Sequence, residues 1–203
     1  LADAQRIKSA KSGPHRYGCL MYELREPLRS RILMWAHKKI SDQDLYHGDD
    51  PTESGRETVP HVTVRYGFNK ASPDDIRAAL ADSEPFPIRL GTISRFTSNP
   101  KYDVLKIDVE SDALRKMYAR LGRRLSTVTP RNRYRPHITL AYVNKGAAGD
   151  LVGKDVFDGE WDTAGELVYS DSDASRHPIP LMSKSAAFHV GQWLAEVSLA
   201  GLM

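Results

Sequence analysis

The sequence predicts an α+β domain, and three observations carry that expectation. Short apolar strands alternate with amphipathic helices along most of the chain. Charged residues (27%) and hydrophobic residues (40%) stand in the proportions of a soluble globular protein. One strand pattern also occurs twice, as PHVTVRYGF (60–68) and PHITLAYVN (136–144), 76 positions apart. Two copies of Pro-His-(β-branched)-Thr-apolar-x-Tyr in one domain point to a duplicated strand.

Residues 1–13 are expected to form a tail, 14–182 one domain, and 183–203 a C-terminal tail of small and apolar residues. RYGCLMYEL (16–24) is an aromatic and apolar run that reads as a strand. EPLRSRILMWAHKKI (26–40) places Leu28, Ile32, Trp35, Ala36 and Ile40 close to helical spacing, with Pro27 in a first-turn position. The polar, acidic stretch 41–60 reads as a long loop, and a loop of that length is expected to act as a lid over a small ligand. HVTVRYGF (61–68) is a strand. SPDDIRAALADS (72–83) opens with a Ser cap, a first-turn Pro and early acidic residues, the signature of a helix start. Strands follow at 87–96 and 103–110 around the turn SNPKY, then a helix at 111–125 with Leu114, Met117, Tyr118 and Leu121 on one face. HITLAYV (137–143) repeats the character of 61–68, and further strands are expected at 165–171 and 177–182.

Composition excludes several classes. No stretch approaches the roughly 20 apolar residues of a membrane-spanning helix, so no membrane partner is expected. The first residues lack the apolar core of a signal peptide. Cys19 is the one cysteine, so no internal disulfide forms; a buried thiol and a cytoplasmic compartment are the natural expectations. The net charge is only +3, yet eight Arg or Lys fall between Arg115 and Arg135. That block either attracts a phosphate-bearing ligand or is the solvated face of a helix.

On a strand, residues i and i+2 share a face. His61 and Thr63 therefore point together, as do His137 and Thr139, while Val62, Val64, Ile138 and Leu140 point into apolar packing. Strict alternation also sends Tyr66 and Tyr142 to that apolar side. Two imidazoles and two hydroxyls facing one cleft suit phosphoryl transfer without a metal. Imidazole titrates near pH 6.5, so a neutral and a protonated ring coexist at neutral pH. One serves as general base toward water or a ribose 2′-OH, the other as general acid toward the leaving oxygen. The Thr hydroxyls donate to non-bridging phosphate oxygens. A zinc site does not fit, because neither His has a second His or Cys at ligand spacing. No metal and no cofactor are expected. His15, His37, His47, His177 and His189 lack any such pattern.

PHVTVRYGF and PHITLAYV resemble the paired H-x-[ST] motifs of the 2H phosphoesterase superfamily, which includes 2′-5′ RNA ligase-like proteins, tRNA-splicing cyclic phosphodiesterases and viral enzymes that degrade second messengers. The resemblance spans roughly 14–182. It implies a bilobal fold: two pseudo-symmetric β-sheet lobes with outer helices and the two His-x-Thr strands lining a central groove. It implies that His61 and His137 are the acid/base pair and that Thr63 and Thr139 bind the substrate phosphate. The expected partner is a nucleotide, with cyclic di- or oligonucleotide second messengers such as cGAMP foremost, as in viral anti-CBASS immune-evasion enzymes that act in the host cytoplasm. The alternatives are an RNA end bearing a 2′,3′-cyclic phosphate or 2′-5′ junction, and a module that sequesters a nucleotide without cutting it. Tyr17, Phe96, Tyr134 and Trp161 are candidate base-stacking residues. Arg133 and Arg135, with Arg131, enter the second motif and are candidates for a phosphate contact.

Overall fold

A computed structural model of the chain describes residues 16–128 and 134–182. Arg131, Arg133 and both expected tails lie outside the described residues. Among the described residues, eight strands and three α-helices follow in the order β1 (Gly18–Glu23), α1 (Leu28–Lys39), β2 (His61–Phe68), α2 (Pro73–Leu80), β3 (Phe86–Phe96), β4 (Tyr102–Glu110), α3 (Asp112–Arg124), β5 (His137–Asn144), β6 (Trp161–Ala164), β7 (Glu166–Ser170) and β8 (Arg176–Pro180). The short strand β6 is not in the sequence-based assignment. It lies in a polar and exposed stretch and carries no alternation long enough to mark it.

All of these strands pair antiparallel in one sheet of order β6-β3-β4-β5-β2-β1-β7-β8. Only Gly165 separates β6 from β7, yet six strand spacings lie between them in the sheet. A flat sheet would put them about 29 Å apart. Two residue steps span at most roughly 7 Å. The sheet must therefore curl. Tyr22 of β1 records the closure: its hydroxyl donates to Asp162 of β6 at 2.7 Å and to the Thr163 carbonyl at 3.2 Å.

The sheet divides into halves that mirror one another about the β2–β5 seam. β1–α1–β2 corresponds to β4–α3–β5, and the seam itself is the single rung Val62↔Ile138. The helices cross over: α1 packs on β5 and α3 packs on β2. One continuous core fills the helix side, with Val62, Val64, Ile138, Leu140, Leu105 and Ile107 from the central strands and Ile32, Leu114 and Leu121 from the helices.

Beyond the seam rung the two strands would leave backbone groups unpaired, which buried strands do not tolerate. The loops supply the partners. Residues 41–60 bind along β5: Tyr46 N–H donates to the Tyr142 carbonyl at 3.0 Å, Tyr142 N–H to Gly55 at 2.9 Å, and Glu57 N–H to Leu140 at 2.9 Å. On the other side, Val128 N–H donates to Gly67 at 2.9 Å and Asn69 N–H to Ser126 at 3.2 Å. The expected lid is thus a strap over the β5 edge, fixed by backbone hydrogen bonds.

α2 starts where its sequence says. Ser72 Oγ accepts from Asp75 N–H at 3.1 Å, and the Asp75 carboxylate accepts from Ser72 N–H at 2.9 Å, closing a capping box. Ser72→Ala is expected to cost about 1 kcal/mol in urea denaturation, with Ser72→Gly costing less.

Candidate active site

The seam brings the two motifs together. With Val62 opposite Ile138 in an antiparallel register, one step along each strand sets His61 beside Thr139 and Thr63 beside His137. All four are half-buried on the face away from the core. Each imidazole is held in the same way. His61 Nδ1 lies 2.7 Å from the Val59 carbonyl, and His137 Nδ1 lies 2.8 Å from the Arg135 carbonyl. A carbonyl only accepts, so Nδ1 carries the hydrogen in both rings and Nε2 keeps the lone pair or the titrating proton. The Val59 carbonyl is itself fixed, because Glu57 accepts from Thr58 N–H at 2.9 Å and from Val59 N–H at 3.1 Å.

His137 has charged neighbours on both flanking strands. Burial pushes its pKa below the ordinary imidazole value. The Lys106 ammonium and His61 push the same way, while the Arg135 carbonyl and Asp108 oppose them. Cys19 stands next to Thr63, and burial raises its thiol to about 12. It is a neutral thiol, not a nucleophile.

Both motif strands carry an irregularity just after His-x-Thr. In β2 the register steps from Met21↔Thr63 to Leu20↔Arg65, leaving Val64 extra. In β5 it steps from Lys106↔Thr139 to Leu105↔Ala141, leaving Leu140 extra. These matched bulges reverse the alternation. Arg65, 2% exposed, turns to the core side, and Tyr66, 45% exposed, turns to the histidine side beside Cys19. Tyr142 turns likewise, beside Val104. The expectation that both tyrosines pack in the core is therefore corrected, since a bulge breaks the period on which it rested.

Aromatic residues now flank the pair on both sides. Tyr17 meets Tyr66 edge-on at 6.1 Å. Phe96 of β3 meets the His137 ring edge-on at 4.9 Å. Tyr142 contacts Tyr102, which contacts Tyr46 of the strap, with centroids 5.4 and 5.0 Å apart. Two other sequence candidates lie elsewhere. Tyr134 stacks on Tyr118 of α3 at 4.4 Å and donates to the Thr63 carbonyl at 2.7 Å, so it braces the entry to β5. Trp161 sits on the edge strand, three strands from His137, and lines a surface cavity of about 490 Å³ with Arg89, Glu110 and Arg115. The Arg135 side chain is exposed, and its carbonyl holds His137. The helical part of the basic block lies on α3, where Arg115 pairs with Asp112, Arg120 donates to Ser83 and Arg124 to the Ala79 carbonyl. It is the face of a helix, on the layer opposite the histidines.

Sequence reasoning missed Lys106, Asp108 and Ser94. Lys106 and Asp108 stand opposite Thr139 and His137 on β4. The alternation in VLKIDVE, with Leu105, Ile107 and Val109 inward, was the available signal.

A family model described as the 2′-5′ RNA ligase superfamily matches residues 30–164. The chain belongs to that superfamily. It is the 2H phosphoesterase grouping that the paired motifs resemble, and its strap, seam and second motif all fall within the matched span. Membership in the 2′-5′ RNA ligase superfamily supports an enzyme of phosphoesterase type. No curated protein matches the sequence. Solved structures share the fold. TT0787 of Thermus thermophilus is 14% identical, with TM-score 0.56, 83% of this chain and 99% of that one covered. E. coli LigT complexed with 3′-AMP is 15% identical, with TM-score 0.55 and coverages of 83% and 96%. Kluyveromyces marxianus Usb1 with uridine monophosphate is 14% identical, with TM-score 0.53 and coverages of 85% and 100%. Among the described residues no helix is long and apolar enough to cross a membrane, and no group of His, Cys, Asp and Glu is arranged to hold a metal ion.

Proposed function

We propose that this chain is a metal-independent phosphodiesterase acting on ribonucleotides, with His61 and His137 as its acid/base pair. One observation carries this: the two imidazoles are fixed by identical Nδ1–carbonyl bonds across a single strand rung, so both present Nε2 to the same space. The neutral ring takes a proton from water or a neighbouring 2′-OH as the P–O bond forms. The protonated ring gives its proton to the oxygen that leaves. Thr63 and Thr139 hydroxyls donate to the non-bridging oxygens as charge builds there. The low pKa of His137 favours its neutral form near pH 7, ready to act as the base.

The aromatic residues on both sides of the pair support a phosphodiester with a nucleoside on each side, as in a cyclic di- or oligonucleotide. The second reading is an RNA end with a 2′,3′-cyclic phosphate; the mononucleotides bound by the LigT and Usb1 neighbours favour it. A panel of cyclic dinucleotides, 2′-5′ and 3′-5′ linear dinucleotides and cyclic-phosphate ends, incubated in excess EDTA with products resolved by mass, separates them. Cleavage of the two-base substrates is expected. Cleavage confined to the cyclic-phosphate end selects the second reading. Loss of all turnover in EDTA defeats metal independence, and unchanged nucleotides without EDTA leave only a binding module.

A further inference from the structure

The two halves of the centre match in position but not in chemistry. On the outer flank of β5, Lys106 stands opposite Thr139 and Asp108 opposite His137. On the outer flank of β2, the corresponding places hold Met21 opposite Thr63 and Glu23 opposite His61. Glu23 is paired with Arg176, whose side chain is 47% exposed, so a cation stands in both halves but is buried in one only. The Lys106 side chain is 4% exposed. Its ammonium donates to Ser94 Oγ at 2.5 Å and to the Asp108 carboxylate, and it lies 4.4 Å from the centre of the Phe96 ring. That ring stands perpendicular to the His137 imidazole, with centroids 4.9 Å apart.

Burying an ammonium is costly, and an apolar side chain of similar volume is often as stabilising. The equivalent place in the other half is held by Met21, an uncharged and half-buried side chain. The buried charge is therefore not explained by the needs of the sheet, and what it adjoins is one of the two histidines.

We propose that Lys106 is a positioning residue for His137: it clamps Phe96 against the imidazole and supplies a buried positive charge, where the His61 half has the half-exposed Arg176 on Glu23. The inference rests on the phosphodiesterase reading for its consequence in turnover but not for its effect on the ring. The charged groups facing His137 are Lys106 and Asp108 from β4 and His61 from β2; Phe96 on β3 and the Arg135 carbonyl complete its surroundings.

The test is NMR titration of the His137 ring in the full chain, without substrate. Removing a neighbouring cation lets the ring take a proton more readily, so Lys106→Met moves its midpoint to higher pH. Asp108→Asn removes an anion and moves it to lower pH. Lys106→Gln removes the same cation but keeps a polar end for Ser94 and Asp108, and its rise in midpoint keeps the test decisive if Lys106→Met does not fold. In turnover, Lys106→Met is expected to lower kcat about tenfold with KM little changed, and the limb of the pH–rate profile belonging to His137 shifts with the midpoint. A midpoint unmoved in a folded variant overturns the role of Lys106 whether or not turnover is seen. Wild-type protein that turns over no phosphodiester overturns the enzyme reading and leaves the titration result standing.

Discussion

His61→Ala and His137→Ala are each expected to lower turnover by about 10²–10⁴-fold, the range for removing one general acid or base. The double variant should be little worse than either single one. The two rings act on a single proton inventory, and losing either leaves the other without its complement. Single-turnover rates on whichever panel substrate is cleaved provide the check. Fold integrity is not at stake, because each ring is half-buried and tied by one hydrogen bond to a local carbonyl. Full activity in either variant removes that residue from the mechanism. Thr63→Val and Thr139→Val keep shape while deleting a donor, so their losses should be smaller and confined to kcat.

The largest expected effect on stability lies away from the histidines, at Arg65. This residue is 2% exposed. It donates to Thr127 Oγ1 at 3.0 and 2.5 Å and to the Tyr118 carbonyl at 3.1 Å, and it lies 4.3 Å from the centre of the Tyr118 ring. Charge-assisted hydrogen bonds contribute about 1.5–3 kcal/mol each, and a desolvated cation–π contact about 2 kcal/mol. These terms overlap, so Arg65→Ala should cost at least about 3 kcal/mol, or roughly 2–4 °C in Tm per kcal/mol for a chain of this size. Arg65→Met fills most of the space and should cost less. Gly122→Ala approaches the same group from α3, where a Cβ would meet Arg65 Cζ at 2.7 Å. Crowding there is expected to cost about 1–3 kcal/mol. Equilibrium unfolding in guanidinium ranks the three variants. Arg65→Ala within about 0.5 kcal/mol of wild type would show that water replaces its partners at no cost.

The placement of the candidate residues was legible because their two strands obey the simplest rule, a period of two with Thr beside His. His61, Thr63, His137 and Thr139 needed nothing more. Tyr66 and Tyr142 were misplaced because a bulge follows each motif and has no signature in a run such as TVRY or TLAY. Phe96 was named for its ring, and the structure sets it on His137. Tyr134 and Trp161 have the same residue chemistry, but their neighbours are decided by tertiary packing, which no local pattern encodes. In the sequence, Lys106 is one charge among several on an alternating strand, and nothing local sets it apart. Only the pairing of β4 with β5 reveals that it is buried next to an imidazole. The strap was legible as a loop but not as a strap, since its partners are backbone atoms some 90 residues away.

The matched bulges at Val64 and Leu140 also bear on how such a chain tolerates change in length. Exchanging either residue for another alters one side chain. Losing either one would remove that bulge and swing the side chains that follow it to the opposite surface. In β2, the Arg65 guanidinium would then project among the histidines and the Tyr66 ring into the space now filled by the arginine. Divergent copies of these strands can therefore drift freely in spelling but not in residue count. A gap at either position marks a chain whose first or second half no longer assembles the same surface.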